Sequence, residues 1–313
     1  MTSISVVIPT YNYGHFIRRA IDSILNQTVL PGETIIVDDG STDNTEKLLL
    51  DNYLLTCNEH IKYLKKENGG PASARNFGIK SATGEYILLL DADDSLQKNA
   101  VELLTDKIKQ FPDIDMIIGG CFSVTPSHHK KYRPAPIVKE SRFNNFKALL
   151  NNKFPISCGR FIVKKSILEN IKFPEHLRHS EDLSVFAHLI ANCNIITVDA
   201  PLISMYHHDD SLRHNHHFAK ESGLLAVDEI FDKTILPSEY FRLKSSFYVH
   251  RCLSIFRMLY KSRRYDEAKH YYKMALRRSF WVLFKWRYLS KYIRMQFYAI
   301  LKLKNRFIRK FPS

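Results

Sequence analysis

The chain is 313 residues long, enough for one full α/β catalytic domain with a smaller addition. It carries 46 Lys+Arg against 32 Asp+Glu, a net charge of +14, and the stretch 261–313, with 16 Lys/Arg against Asp266 and Glu267, accounts for all of it; a neutral body with a basic tail excludes a uniformly basic protein and points to an anionic surface met by one segment. Five scattered cysteines (Cys57, Cys121, Cys158, Cys193, Cys252) with no C-x-x-C pair exclude a disulfide framework and a zinc knuckle, and the lack of any apolar run of about eighteen residues excludes an ordinary transmembrane helix.

The first apolar run, 4–8, meets Pro9 at once and has no charged segment before it, so a strand is expected there and a signal peptide is not. With reduced, buried thiols this leads to the expectation of a protein facing the cytoplasm. Ile17, Ile21, Ile24 and Leu25 then recur at helical spacing after Gly14, and Asp43-Asn44 can cap a helix running to Leu50. Further short aliphatic runs at 34–37, 61–64, 86–90 and 114–118 alternate with helical stretches, which predicts a parallel, doubly wound sheet. Runs such as Ser5-Val6-Val7-Ile8 and Ile87-Leu88-Leu89-Leu90 suit strands covered on both faces. From 125 to 154 the pattern decays into Pro, His, Lys and Asn, and a mobile connector is expected. A strand at 160–163, a helix over 181–191 and two strands near 195–198 and 202–206 follow. Beyond about 218 the pattern is wholly helical; residues 265–276 resemble one helix of a tetratricopeptide-like pair, but a single copy establishes no repeat. The expected division is a catalytic domain at 1–217 and a basic helical region at 218–313.

In an open parallel sheet, ligands bind beyond the carboxyl ends of strands. Four polar clusters stand there: Pro9-Thr10-Tyr11-Asn12, Asp38-Asp39-Gly40-Ser41-Thr42-Asp43, Asn68-Gly69-Gly70-Pro71 leading to Ala74-Arg75-Asn76, and Asp91-Ala92-Asp93-Asp94. The second can equally be a turn with a helix cap, and the third a plain loop. The fourth is harder to explain structurally, because crowded carboxylates repel unless a cation intervenes. Hard divalent ions such as Mg²⁺ or Mn²⁺ take few protein carboxylates and fill their shell with water and phosphate oxygens, which suits a diphosphate substrate.

The ordered set PTYN, VDDGSTD, GGPASARNFGI, ATGEYILLLDADD and a later ED resembles the family 2 glycosyltransferases over roughly residues 3–210. Any one motif is weak; five in order and spacing are specific. The resemblance implies a GT-A-type fold, that is, a Rossmann-like, mixed and mainly parallel sheet flanked by helices, here with an α-helical C-terminal extension. It implies a nucleotide-sugar site over Pro9, Tyr11, Asn12, Asp39, Arg75, Asp91, Ala92, Asp93 and His208, with Tyr11 near the base and Asp39 on a uracil-type edge. Arg75 would lie near the nucleotide or diphosphate, and Asp91 and Asp93 would form the DxD pair that meets ribose and metal. His208, three residues before Ser211, matches a segment that approaches diphosphate or metal, so the implied ligands of Mn²⁺ or Mg²⁺ are Asp93, Asp91 and His208. The histidines at 214, 216 and 217 lack zinc-site spacing. The ED motif matches Glu181-Asp182 and makes Asp182 the implied base, although a carboxylate there also suits the first turn of a helix. Position 180 is Ser where the family more often has Gly.

The expected activity is therefore inverting, metal-assisted transfer of a sugar from a nucleotide diphosphate, a UDP-sugar by the resemblance at Asp39, to a hydroxyl of a glycan or lipid-linked acceptor in cell-surface polysaccharide synthesis. The alternative is a catalytically inactive member of the fold that binds glycans or partner proteins. A dinucleotide dehydrogenase lacks its G-x-G-x-x-G after the first strand. In the tail, Arg287, Lys291, Arg294, Lys302, Arg306 and Arg309 share one sector of a helical wheel, so residues 280–310 could lie on an anionic membrane at its inner face or pack on the protein. No groove-reading module is present, and nucleic acid is not an expected partner.

Overall fold

The computed structural model describes residues 3–54, 60–177, 180–208 and 216–297. In chain order its elements are β1 (Ile4–Thr10), α1 (Gly14–Leu25), β2 (Glu33–Asp38), α2 (Thr45–Leu49), β3 (Ile61–Lys65), α3 (Pro71–Ser81), β4 (Tyr86–Leu89), β5 (Ser95–Leu96), α4 (Ala100–Gln110), β6 (Met116–Val124), β7 (Lys130–Arg133), α5 (Arg142–Leu150), β8 (Phe161–Lys164), α6 (Lys165–Asn170), α7 (Glu181–Asn192), β9 (Ile195–Tyr206), α8 (His216–Ile230), α9 (Lys244–Lys261) and α10 (Tyr265–Arg278). The chain divides into two compact units, Met1–His214 with Thr234–Leu236, and Asn215–Lys233 with Pro237–Ser313.

The first unit is built on one sheet of order β3-β2-β1-β4-β8-β6-β9-β5, with β7 on β6. Strands β1 to β4 form its parallel half; β8 inserts antiparallel to both β4 and β6, β9 runs parallel to β6, and β5 runs antiparallel to β9. Alternation within the strands sends side chains to two buried faces. Val6, Ile8, Ile36, Leu88 and Leu90 meet Ile17, Ile21, Ile24, Leu104 and Ile108 of α1 and α4. On the other face α3 comes so close that a Cβ on Gly78 would lie 2.3 Å from Val7 Cγ1 and 3.0 Å from Val37 Cγ2; only glycine fits.

Three local expectations change. The segment 125–154 is not a bare connector, because it holds β7 and α5, the latter capped by Ser141 accepting from the Asn144 amide. The two strands near 195–206 are one, β9, whose register against β6 slips around Gly120; that irregularity takes up the polar Asp199-Ala200-Pro201 step that reads as a break in sequence. The helix after Asp43-Asn44 begins at Thr45, and its amide is taken by Asp43 and not by the Asn44 side chain.

The second unit is helical, with a core of Cys252, Leu253, Phe256, Leu259, Ala268, Tyr272, Ala275, Val282 and Met295. No helix among the described residues is long and apolar enough to cross a membrane. Cys121, Cys158, Cys193 and Cys252 are free and buried.

Candidate active site

Three parallel strands end at one edge, and their last residues carry the clusters seen in sequence. Pro9 lies at the end of β1 and pairs with Val37 of β2. Pairing with β4 stops at Val7–Leu89, and Pro9 has no N–H with which to continue that ladder, so the two strand ends part. Tyr11 follows, 44% exposed and open to stacking. Asn12, in the left-handed region at φ 55°, is a loop tie: its Oδ1 accepts from the amides of Thr42 (2.7 Å) and Asp43 (3.2 Å), while its own amide donates to Ser41 Oγ at 2.9 Å. The loops after β1 and β2 are thereby one rigid shelf.

Asp39 is buried. Its carboxylate accepts from Lys66 Nζ (2.7 Å), the Gly69 amide (3.0 and 3.2 Å) and the Gly70 amide (2.7 Å), so three donors of the loop that precedes α3 hold it in place. Gly70 stands at φ 88°, a backbone state that glycine adopts at no steric cost, with Pro71 opening the helix behind it.

One turn into α3, Arg75 is buried and reaches two carboxylates from distant parts of the chain. Its Nη2 donates to Asp91 Oδ1 at 2.9 Å and its Nη1 to Glu181 Oε1 at 3.0 Å, leaving Nε without a partner. This single guanidinium links the DxD segment to the ED segment. Charge-assisted bonds of this kind fix geometry as well as energy.

Beyond β4, Asp91, Asp93 and Asp94 each offer an oxygen within 4.8 Å of the others, whereas Ala92 turns into the core. The antiparallel β5–β9 pair brings the end of β9 alongside: the Tyr206 amide donates to Asp94 Oδ1 at 3.0 Å, and His208 Nε2 lies 2.8 Å from Asp93 Oδ2. Burial, then the charge of Asp91, push the Asp93 carboxyl above its ordinary value, and the His208 contact pulls it partly back. His208 packs on Phe16 with tilted rings, 4.4 Å between centroids, and meets Tyr13 edge-on at 6.0 Å, and its Nδ1 is buried without a hydrogen-bond partner. Arg19 donates to the Asp93 carbonyl and lies over the Tyr206 ring at 3.6 Å. The three carboxylates are a donor set that suits a divalent cation of the Mg²⁺ or Mn²⁺ type, with His208 Nε2 beside Asp93.

Asp182 is in the first turn of α7 and on the wall of a cleft of about 230 Å³ lined also by Leu149, Phe154, Pro155, Ile156 and Phe186. Burial first, then Glu181, push its carboxyl up to about 6 against the opposing pull of Arg75. A carboxylate so poised is ionised at neutral pH yet basic enough to take a proton. Ser180, before it, sits at φ 63°. This left-handed state explains why glycine is the commoner residue there, and it places backbone strain beside the carboxylate.

Of the sequence-expected residues, Asp91, Asp93 and His208 come together, and Arg75 ties Asp91 to Glu181, the neighbour of Asp182; Asn12 instead ties the loops after β1 and β2, and Asp39 is held by the loop that precedes α3. Glu181, Lys66, Arg19 and Phe16 were not singled out from sequence. Glu181 could have been, since it is half of the ED pair; the others carry no motif. Asp209, Asp210, Ser211 and His214 lie outside the described residues.

The sheet order is that of a GT-A-type fold, with an acidic cluster at the strand ends. The family Glycosyl transferase family 2 matches residues 5–172, and the chain belongs to it. An uncharacterised glycosyltransferase of Rickettsia conorii is 34% identical over 205 residues, 64% of this chain and 32% of the relative. The minor teichoic acid biosynthesis protein GgaB of Bacillus subtilis is 32% identical over 187 residues, 57% of this chain and 20% of its own length; the chain thus spans a third or less of either. Among solved structures, residues 1–349 of S. aureus TarS in complex with UDP-GlcNAc share the fold at TM-score 0.69 and 22% identity, covering 94% of this chain and 89% of that one.

Proposed function

We propose that the protein is an inverting glycosyltransferase that moves a sugar from a UDP-sugar to a hydroxyl of a glycan or lipid-linked acceptor during cell-surface polysaccharide synthesis, with Mn²⁺ or Mg²⁺ as cofactor. The observation that carries this reading is the Arg75 bridge, which holds the Asp91 end of the acidic cluster and the Asp182 helix in one frame. Family membership, the UDP-GlcNAc bound by the TarS structure and the teichoic acid assignment of GgaB support the donor and acceptor classes.

Asp91, Asp93 and His208 would hold the cation, which when bound supplies positive charge to the departing diphosphate. Tyr11 offers a stacking face for the base, and Asp39 stiffens the loop over which the nucleotide lies. Asp182 takes the proton of the acceptor hydroxyl as its oxygen attacks the anomeric carbon. The bond from that carbon to the phosphate oxygen breaks, its electron pair leaves with the nucleotide diphosphate, and the configuration inverts. The alternative of a binding protein without catalysis gives no use to a carboxyl raised to about 6 on a cleft wall.

A panel of nucleotide-sugars assayed for metal-dependent diphosphate release, with Asp93→Asn alongside, tests the proposal. UDP-sugar turnover that the variant loses while keeping its fold is the expected result; full activity in the variant would refute the assignment of the cation site.

A further inference from the structure

The sequence offers two readings of the basic tail, a helix lying on a membrane or one packed on the protein, and for residues 286–297 the apolar face is packed. Residues 286–297 form a helix whose Tyr288, Leu289, Tyr292 and Met295 pack into the core made with α9 and α10, Tyr292 stacking on Tyr272 at 4.4 Å. The region beyond 297 lies outside the described residues.

Among the described residues of this region, the short 3-10 turn Phe280–Phe284 stays uncovered. Val282 anchors it, 1% exposed, while Phe280, Trp281, Leu283 and Phe284 stand out at 59%, 62%, 43% and 73% exposure, followed by Trp286 at 70%. The outward rings form one cluster, with Phe280 and Trp281 4.7 Å apart and Trp281 and Phe284 5.4 Å apart. Monomeric proteins seldom leave a contiguous apolar patch of this kind in water without a use for it. The residues that flank it in the chain carry one sign of charge: Arg277, Arg278, Lys285 and Arg287 are exposed, and from Ala268 to Ser313 the sequence has no Asp or Glu.

We propose that residues 280–287 are a membrane-docking element that seats its aromatic rings at the headgroup level of an anionic phospholipid bilayer. Tryptophan and phenylalanine on an exposed turn suit that depth, since an indole keeps an apolar body and one polar N–H, and the flanking cations are drawn to anionic headgroups. A protein partner would be met by a rim of mixed polarity, whereas a lipid surface needs only aromatic area and positive charge. The element goes beyond the proposed transfer reaction and does not depend on it.

Trp281 and Trp286 are the only tryptophans in the chain, so intrinsic fluorescence reads this turn directly. The full chain is titrated with vesicles of phosphatidylcholine alone or mixed with phosphatidylglycerol, with cosedimentation measured in parallel. The expected result is cosedimentation with the anionic vesicles, weakened by salt, together with a blue-shifted emission that brominated acyl chains quench. The double variant Trp281→Ser/Phe284→Ser, with unchanged circular dichroism, should partition at least about tenfold more weakly, and Lys285→Gln/Arg287→Gln should lose most of the preference for anionic lipid. Three results would overturn the proposal: no cosedimentation, cosedimentation with emission unmoved, or a shift that rises with protein concentration alone, which would mean that a second copy covers the turn.

Discussion

Replacing Asp182 with asparagine should remove activity and add stability, and the two effects share one cause. A carboxyl raised from 3.8 to about 6, at about 1.4 kcal/mol per pH unit, costs the folded protein about 3 kcal/mol when ionised. Because the folded value lies above the unfolded one, the fold binds the proton more tightly; stability is highest below pH 4 and is lost as pH rises through 6. The amide of Asp182→Asn would have no proton to lose in that range. At pH 7.5 the variant should therefore unfold at higher urea concentration, by up to about 3 kcal/mol, and the gap should close below pH 4. Transfer needs the ionised base, so wild-type kcat/KM should fall on the acid side of about pH 6, and the variant should lose on the order of 10²-fold or more in rate. Urea melts across pH beside a diphosphate-release assay would measure both. A variant less stable than wild type at pH 7.5, or a stability gap that ignores pH, would refute the electrostatic reasoning; retained turnover would refute the role.

Two further substitutions probe the frame around the site. Gly78→Ala places a methyl at 2.3 Å from Val7 Cγ1 and should cost about 1–3 kcal/mol through overpacking; an unchanged urea midpoint would show that α3 can retreat from the sheet. Ser180→Gly relieves the φ of 63° and should stabilise by up to about 1 kcal/mol, and a loss of stability in thermal melts would mean that Ser180 makes contacts worth more than the strain.

The strands and the edge clusters were legible in sequence because their causes are local. Aliphatic runs such as Ile87-Leu88-Leu89-Leu90 have no other economical placement than between two covered faces, and polar residues directly after them fall at the sheet edge. What was not legible depends on pairings between distant segments. The meeting of His208 with Asp93 entered the sequence reading only through the family resemblance, because the β5–β9 ladder behind it has a two-residue partner that leaves no period to read. The Arg75 bridge needs α3 and α7 in place together, and the packing of Phe16 on His208 has no counterpart in any motif. Segment 125–154 misled because β7 is built of Lys130, Lys131, Tyr132 and Arg133, all exposed, an edge strand without apolar alternation. Asn12 reads as a ligand residue, and its Oδ1 and amide also tie the loops after β1 and β2 together, a part the motif does not announce.

The central claim is that Asp91, Asp93 and His208 form a site completed by a divalent cation and a nucleotide diphosphate. Isothermal titration of UDP into the wild-type chain, with Mn²⁺ or Mg²⁺ present and again with chelator, tests it most directly. The account predicts binding that needs the metal and is lost in Asp93→Asn of unchanged fold. Binding of equal strength in chelator, or none with either metal on folded protein, would contradict it.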